Sequence, residues 1–372
     1  MIHTRTSIRI LICSLLSLVA TPAMALEFAV VGPRAAGMGG AGVAVTTDAY
    51  ATHWNPAGLA MNQSVDIRVQ VSAQGVNRGE FLQTLHDIEG FDPNAPNAPA
   101  QAQSLVNSIN NGGSLSAVAT GGLYFKGHIG EHAFGFNVSD VANAGSFVSQ
   151  TFTAPGNNIQ GQLALRGLEQ RQAAFSYAYA FADKTFSIGV TGRVIQGAAY
   201  TGTATVTGGQ DVTLSDNFGK AKTTTAFGID VGAIYRPSSW LRLGVVAKDL
   251  NQPEFDAPDG SKFKLNPQVR GGVALNPWST MTMTADMDIT SNQTFVPGIK
   301  SQVLSLGMEQ TVLSEFLSFR VGTYKNVQDA KSIFTPTAGI GFRIYSFRLD
   351  VAAGYDFNEG GAIASGALSL TF

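Results

Sequence analysis

The 372-residue chain sets 24 Lys and Arg against 26 Asp and Glu, a formal net charge of −2, which excludes the basic footprint of a nucleic-acid binder. Charged residues make up 13% of the chain and hydrophobic ones 44%. That is about half the roughly 25% charge of soluble domains and too apolar for disorder, so the chain either buries a core or faces lipid.

Arg5 and Arg9 precede the apolar run 10–19, which closes in Ala23-Met24-Ala25. A charged start, a short hydrophobic core and an A-x-A site read as a secretory signal, residues 1–25. The run is too short for the roughly 20 residues of a membrane-spanning helix. Cys13, the only cysteine, leaves with the signal, and bulky Ile12 before it argues against a lipoprotein cysteine. Residues 26–372 then hold no thiol, which excludes disulfides, thiolate catalysis and cysteine-ligated zinc.

Residues 26–62 are rich in small side chains: Val31-Gly32-Pro33-Arg34-Ala35-Ala36-Gly37-Met38-Gly39-Gly40-Ala41-Gly42, then Asp48 and His53-Trp54-Asn55-Pro56-Ala57-Gly58-Leu59. Gly37, Gly39 and Gly42 match G-x-G-x-x-G, but a dinucleotide site needs repeated strand-helix units after it, and alternating strands follow instead. No cofactor is expected. Glycines that let backbone thread a crowded space suit a segment folded inside a barrel.

From residue 64 the chain alternates apolar and polar residues between Gly, Pro, Asn and Asp, the period-two signature of two-faced strands. Leu349, Val351, Ala353, Tyr355 and Phe357 oppose Arg348, Asp350, Ala352, Gly354 and Asp356; Met281, Met283, Ala285, Met287 and Ile289 oppose Thr280, Thr282, Thr284, Asp286 and Asp288. Leu241, Leu243, Val245 and Ala247 do the same. No window after the signal is apolar enough for a transmembrane helix, so membrane entry falls to strands. Fourteen are expected, at about 64–78, 114–127, 131–142, 168–182, 185–199, 222–237, 240–250, 266–276, 279–288, 300–311, 316–325, 335–344, 347–357 and 362–372.

Joints after the first, third, fifth, seventh, ninth and eleventh strands are long and those after the even ones tight, as at Ala182-Asp183-Lys184 and Pro237-Ser238-Ser239. An even number of strands with long outer loops and short periplasmic turns is the wiring of a bacterial outer-membrane barrel. Phe181, Phe186, Tyr235, Trp240, Trp278, Tyr345 and Phe347 gather at the short turns, as an interfacial girdle requires. Fourteen strands enclose more than the side chains of an ~8-stranded barrel can fill and less than the channel of a ~16 to 18-stranded porin, so an interior segment plugs the lumen. The expected division is therefore a hatch at 26–62 and an all-β, antiparallel up-and-down transmembrane barrel at 63–372.

In the long loop 79–113, Phe81, Leu82, Leu85 and Ile88, then Leu105, Val106 and Ile109, are spaced for short amphipathic helices. They form either a greasy landing site for a ligand over the mouth or a loop packed on itself; Asp92 to Pro99 between them is irregular. His128 and His132 straddle a tight turn and do not share a helix, so no metal site is expected. No Ser or Asp nucleophile stands out beside a base, and no enzyme is expected. Arg193, Arg242, Arg270, Arg320, Arg343 and Arg348, with Asp230, Asp286, Asp288 and Asp350, are read as lumen charges that pair and hold the plug, or else set selectivity. Gly366, Leu368, Leu370 and Phe372 share one face of the closing strand, which removes the sheet edge by pairing with the first strand. The terminal aromatic resembles the signal read by the barrel-assembly machinery.

The run Arg34 to Ala41, with Asp48 and Asn55-Pro56-Ala57-Gly58-Leu59, resembles the hatch of the FadL-type outer-membrane family, whose fourteen-stranded barrels carry long-chain fatty acids and other hydrophobic compounds. Leu243 to Asn251, Pro253, Phe255, Pro267 to Ala274 and Ala285 to Asp288 resemble its branch of TraF-type conjugal transfer barrels. Thioredoxin-like proteins share that label, but residues 26–372 lack cysteine. The resemblance implies a ligand route past Gly37, Gly39, Gly40, Gly42, Asn55, Pro56 and Ala57, with Phe81, Leu82, Leu85, Leu105 and Ile109 as outer-loop contacts. Asn55-Pro56 equally well starts a turn that Gly58 completes. A passive channel for hydrophobic molecules and an accessory barrel of a conjugation or secretion apparatus, with protein partners, are the two functions implied.

Overall fold

The computed structural model describes residues 28–358 and 360–372; the expected signal segment and its cleavage site lie outside them. Fourteen strands close into one antiparallel barrel in sequence order: β1 (Asp66–Arg78), β2 (Ser114–Ile129), β3 (His132–Thr153), β4 (Gln160–Phe181), β5 (Phe186–Thr207), β6 (Lys222–Ser238), β7 (Leu241–Lys248), β8 (Gln268–Leu275), β9 (Met281–Asp288), β10 (Val303–Val312), β11 (Leu317–Asn326), β12 (Thr335–Ile344), β13 (Phe347–Tyr355) and β14 (Ala362–Thr371). β14 returns to β1, from Asp66↔Thr371 to Gly75↔Ala362, leaving no open edge. No helix among the described residues is long and apolar enough to cross a membrane.

The wall is inside-out relative to a soluble protein. On β1 Ile67, Val69 and Val71 are exposed while Asp66, Arg68, Gln70 and Ser72 between them are buried. On β13 Leu349 and Val351 face out and Asp350 and Ala352 face in. Exposed apolar side chains alternating with buried polar ones mark lipid outside and protein inside. Phe181, Phe186, Tyr235, Trp240, Trp278, Tyr345 and Phe347 are all exposed near the short turns. Tyr355 stands at the other end of β13 and Phe357 just beyond it, about 20 to 25 Å away along the axis for a strand rising ~3.3 Å per residue at a tilt near 40°. The protein is a barrel of the bacterial outer membrane.

The rim is uneven, because β3, β4 and β5 each run 22 residues and β7, β8 and β9 only eight. The tall strands exceed the expected spans 131–142, 168–182 and 185–199 because above the membrane the face that meets lipid lower down meets protein. Leu163 and Leu165 have the same parity on β4 as lipid-facing Phe175, and Ala204 and Val206 the same parity on β5 as Val190. On these residues pack two helices of the first outer loop, α3 (Phe81–Glu89) and α4 (Ala98–Asn110). Asn110 locks them there, donating through Nδ2 to Phe152 O and accepting from Phe152 N, both at 2.9 Å.

Candidate functional site

Residues 28–62 run through the lumen and are almost wholly buried, although they contain only α1 (Pro33–Gly37), α2 (Ala51–Trp54) and a 3₁₀ turn at Pro56–Met61. Pro33 starts α1 with a preset φ, and Asn55 starts the 3₁₀ turn, its Oδ1 accepting from Ala57 N at 3.2 Å. What seats so irregular a segment is glycine on the opposing surface. Gly189, Gly232, Gly244, Gly272, Gly307, Gly322 and Gly339 form an interrupted belt inside the wall where hatch backbone or side chains press directly on the strands. A Cβ on Gly307 would stand 2.5 Å from Met38 O, and one on Gly322 would collide with Gly39 N. These wall glycines escape a reading of the sequence, since glycine sits on either side of a period-two pattern without marking a face.

Directional bonds complete the seat. Asn55 Nδ2 donates to Val43 O within the hatch (3.1 Å) and to Ala233 O and Val245 O on β6 and β7 (3.2 and 3.3 Å). Pro56 and Ala57 lie against Gly189, and Ser187 Oγ donates to Ala57 O at 2.8 Å. Gly37 meets Gly339, Gly39 (φ +70°) meets the carbonyls of Thr323 and Leu306, and Gly42 lies under the Trp54 ring. Gly40 (φ +83°) faces Val30 and Ser305. The seven hatch residues of the expected ligand route thus lie in one continuous contact between hatch and wall. The loop residues do not join them: Phe81, Leu85, Leu105 and Ile109 are buried against the upper wall with Ile88 and Val106, and Leu82 is exposed on the other side of α3.

Charge holds the same contact. Glu309 on β10 receives Arg34 Nη2 of the hatch at 2.7 Å and Arg320 Nε at 2.6 Å, and Arg320 also pairs with Asp350 at 2.8 Å. Asp286 Oδ2 accepts from Gly42 N and Val43 N at 2.7 and 2.8 Å, Arg270 pairs with Asp288 at 2.5 Å, and Arg193 with Asp230 at 3.0 Å and with Asp249. Lys126 Nζ donates to the hatch carbonyls Thr47 O and Asn62 O. Buried charges persist only when paired or hydrogen-bonded this way. Two expected lumen charges differ. Arg343 pairs with Glu315 at the exposed periplasmic turns, and Arg242 donates to Ala44 O at 3.1 Å, not to a carboxylate. Glu309, the hub, was not among the expected set.

At the upper end of the hatch, Phe28 stacks on Trp54 with ring centroids 5.2 Å apart, and Lys248 Nζ and Arg270 Cζ stand 4.6 and 4.4 Å from its ring. His53 Nε2 lies 2.9 Å from Ala29 O, so it is the donor and Nδ1 the acceptor, 3.4 Å from Lys248 Nζ. Burial first, and the Lys248 charge second, hold the His53 imidazole well below its ordinary pKa of 6.5, so it is neutral. Above it the lumen turns apolar: inward-facing Leu168, Ile195 and Ala199 meet Phe255, Ala257, Phe263 and Leu265 from the loop after β7 and Phe295 from the loop after β9. Recesses of about 40 and 30 Å³ remain against the hatch. Among the described residues no three His, Cys, Asp or Glu gather as a metal site, and His128 and His132 straddle the β2–β3 turn. Phe372 is exposed beyond β14, its N–H donating to Val65 O at 2.9 Å.

Residues 52–288 match the family model described as F plasmid transfer operon, TraF, protein. No curated protein matches the sequence. Among solved structures the chain is similar to the Ralstonia pickettii toluene transporter TbuX, at 14% identity over 93% of this chain and 98% of that one, TM-score 0.55. It is likewise similar to the CymD monoaromatic hydrocarbon channel (12%, 93% and 98%, TM-score 0.57) and the Pseudomonas putida toluene transporter TodX (11%, 94% and 99%, TM-score 0.55). At such identities the likeness is one of fold.

Proposed function

The chain belongs to the family described as F plasmid transfer operon, TraF, protein, and from the barrel just described we propose that it is an outer-membrane channel for small hydrophobic compounds, seen with its hatch closed. One observation carries this reading. The lumen of a water-filled porin is polar, whereas the upper lumen here is lined by Leu168, Ile195, Phe255, Phe263, Leu265 and Phe295 above the hatch. Such a lining favours an apolar solute over water. That proteins of the same fold are titled toluene transporters and monoaromatic hydrocarbon channels supports the reading.

In this scheme the mature chain begins after Ala25, residues 26–62 are the hatch and the rest is the barrel. A solute passes when the contact at Gly37, Gly39, Gly40, Gly42, Asn55, Pro56 and Ala57 loosens. No catalytic group takes part, and the exposed Phe372 presents the chain to the barrel-assembly machinery. Cells lacking the protein should take up radiolabelled toluene several-fold more slowly than complemented cells, and Asn55→Ala should change that rate while the barrel stays folded. Equal uptake with and without the protein would sink the channel reading.

The family match favours a second reading, an accessory barrel of a conjugation apparatus with stable protein partners. Loss of mating efficiency with unchanged solute uptake would select it.

A further inference from the structure

The outward face of the wall carries a groove. On β1 to β4, Ala73, Ala117, Ala119, Ala142, Ala144 and Gly167 stand side by side across the strands, in the register Ala73↔Ala119↔Ala142 and Ala117↔Ala144↔Gly167. Their short side chains floor a depression of about 420 Å³, within the roughly 300 to 1,000 Å³ of ligand pockets. Larger outward residues bound it. Val71, Leu123 and Val138 stand below, and Tyr200 meets Phe218 at the upper end, rings edge to face with centroids 6.2 Å apart. The loop after β5 folds outward over Gly202 to bring Phe218 there, where it packs against the cluster that seats α3 and α4.

The groove crosses the edge of the membrane. Arg171 is ten residues up β4 from the girdle residue Phe181, about 25 Å along the axis at ~3.3 Å per residue and a tilt near 40°, the full height of the apolar band. Because the strands tilt, a line drawn across them climbs. The groove therefore rises from Ala73, next above lipid-facing Val71, to Glu169 and Tyr200 beyond the band.

Its upper end is polar and short of donors. Arg171 Nη2 pairs with Glu169 at 2.6 Å, Asp140 Oδ2 lies 3.6 Å from Arg171 Nε, and Tyr200 Oη donates to Glu169 Oε2 at 3.4 Å. Two carboxylates thus share one guanidinium, and Asp140 Oδ1 is a buried acceptor with no hydrogen-bond partner among the described residues. An acceptor left this way is costly, and a hydroxyl donating to a carboxylate makes one of the stronger hydrogen bonds. A phosphodiester brings more anion to that end; a head group rich in hydroxyls brings the donors it lacks.

We propose that the groove is a seat for a sugar-headed lipid of the outer leaflet: one acyl chain lies along the alanine floor, and the sugar donates to Asp140 and Glu169 beside the Tyr200 and Phe218 rings. The seat lies outside the barrel and is separate from any route through the lumen.

The test is native mass spectrometry of the full chain in tetraethylene glycol monooctyl ether, with monoglucosyl dioleoylglycerol or dioleoylphosphatidylglycerol added at equal concentration. The two lipids share their chains and differ in the head group. The glucolipid adduct should be at least fivefold the more abundant. Ala119→Trp, which fills the groove from a lipid-facing position, should remove the excess, and Asp140→Leu should bring the two lipids level. Should either variant fail to fold, competition on the unaltered protein decides: lipid A should displace the glucolipid and phosphatidylglycerol should not. Equal adducts of the two lipids, or an excess that survives Ala119→Trp, overturns the seat. So does a dimer of the chain in place of lipid adducts, which makes the face a contact between copies, or slower toluene uptake in Ala119→Trp, which makes the groove part of a solute path.

Discussion

Arg34 of the hatch and Glu309 of the wall, 275 residues apart in sequence, form a forked pair, Nε to Oε1 at 3.0 Å and Nη2 to Oε1 at 2.7 Å. Glu309 also serves Arg320, whose side chain is wholly buried. Removing the carboxylate leaves two guanidinium groups without it inside the barrel, the situation that costs about 3 to 5 kcal/mol when a buried pair loses one member. Glu309→Ala should lower the urea midpoint of unfolding accordingly, followed by heat-modifiable migration, while Arg34→Ala should cost less because Arg34 is partly exposed. Equal midpoints for both variants and the parent would show that the pair holds nothing.

Gly322 offers a separate test of how the hatch is seated. A Cβ there meets Met38 and Gly39 backbone, not a flexible side-chain end, so Gly322→Val must push the hatch off the wall. Overpacking of this kind costs about 1 to 3 kcal/mol. Limited proteolysis should then cut within 28–62 in the variant and not in the parent, with the barrel fragment intact in both. Substituting Gly366, where a Cβ meets open space, is the control.

His53 gives the seated hatch a pH dependence whose sign follows from its depressed pKa. Once the hatch is released, its imidazole titrates near 6.5; in place it resists the proton. Below pH 6.5 the released state therefore binds more protons, and the seated state loses stability as pH falls, by up to about 1.4 kcal/mol per unit. Above 6.5 the contribution is fully present. Protease sensitivity of the hatch, compared at pH 7.5 and 5.0, should rise more in the parent than in His53→Asn. A parallel rise in both would assign the effect to other groups.

The direction of the wall can be tested at one strand. Val69 points to lipid and Gln70 into the lumen. Val69→Arg, near mid-height of the apolar band, should cost about 2 to 4 kcal/mol in bilayer refolding titrations. Gln70→Ala should cost less than that. The reverse order would mean that the faces are assigned backwards.

Much of the wall was legible because lipid imposes a strict alternation on every strand it touches. β12 spans the expected 335–344, and β6 ends one residue beyond its expected limit. Legibility ended where lipid ends. Past Val141 and before Leu168 one face of β3 and β4 carries helices in place of lipid, and sequences such as Ser146-Phe147-Val148-Ser149 no longer alternate cleanly. The hatch motif was visible as glycines and Asn55-Pro56-Ala57, but its partners were not, because a glycine on a strand announces neither its face nor what presses on it. Arg193, Arg270 and Arg320 found the expected kind of partner. Glu309, which takes both Arg34 and Arg320, lies in Met308-Glu309-Gln310, where one charged residue among neutral ones gave no sign of its load.

Asp66 sits where three parts of the chain converge. Its Oδ1 accepts from Thr371 Oγ1 at 2.5 Å and its Oδ2 from Ala49 N at 2.9 Å, so the first strand touches the last strand and the hatch through one carboxylate. This imposes an order of events. A segment that precedes β1 in the chain and ends encircled by every later strand has to be in place before the cylinder shuts, since the finished wall offers only its two ends for entry. The clasp at Thr371 closes that order, because it forms only when β14 meets β1 around the hatch. In that order the hatch works as a mandrel, its contacts with glycines on β5 to β8 and β10 to β12 giving the wall a surface to bend around.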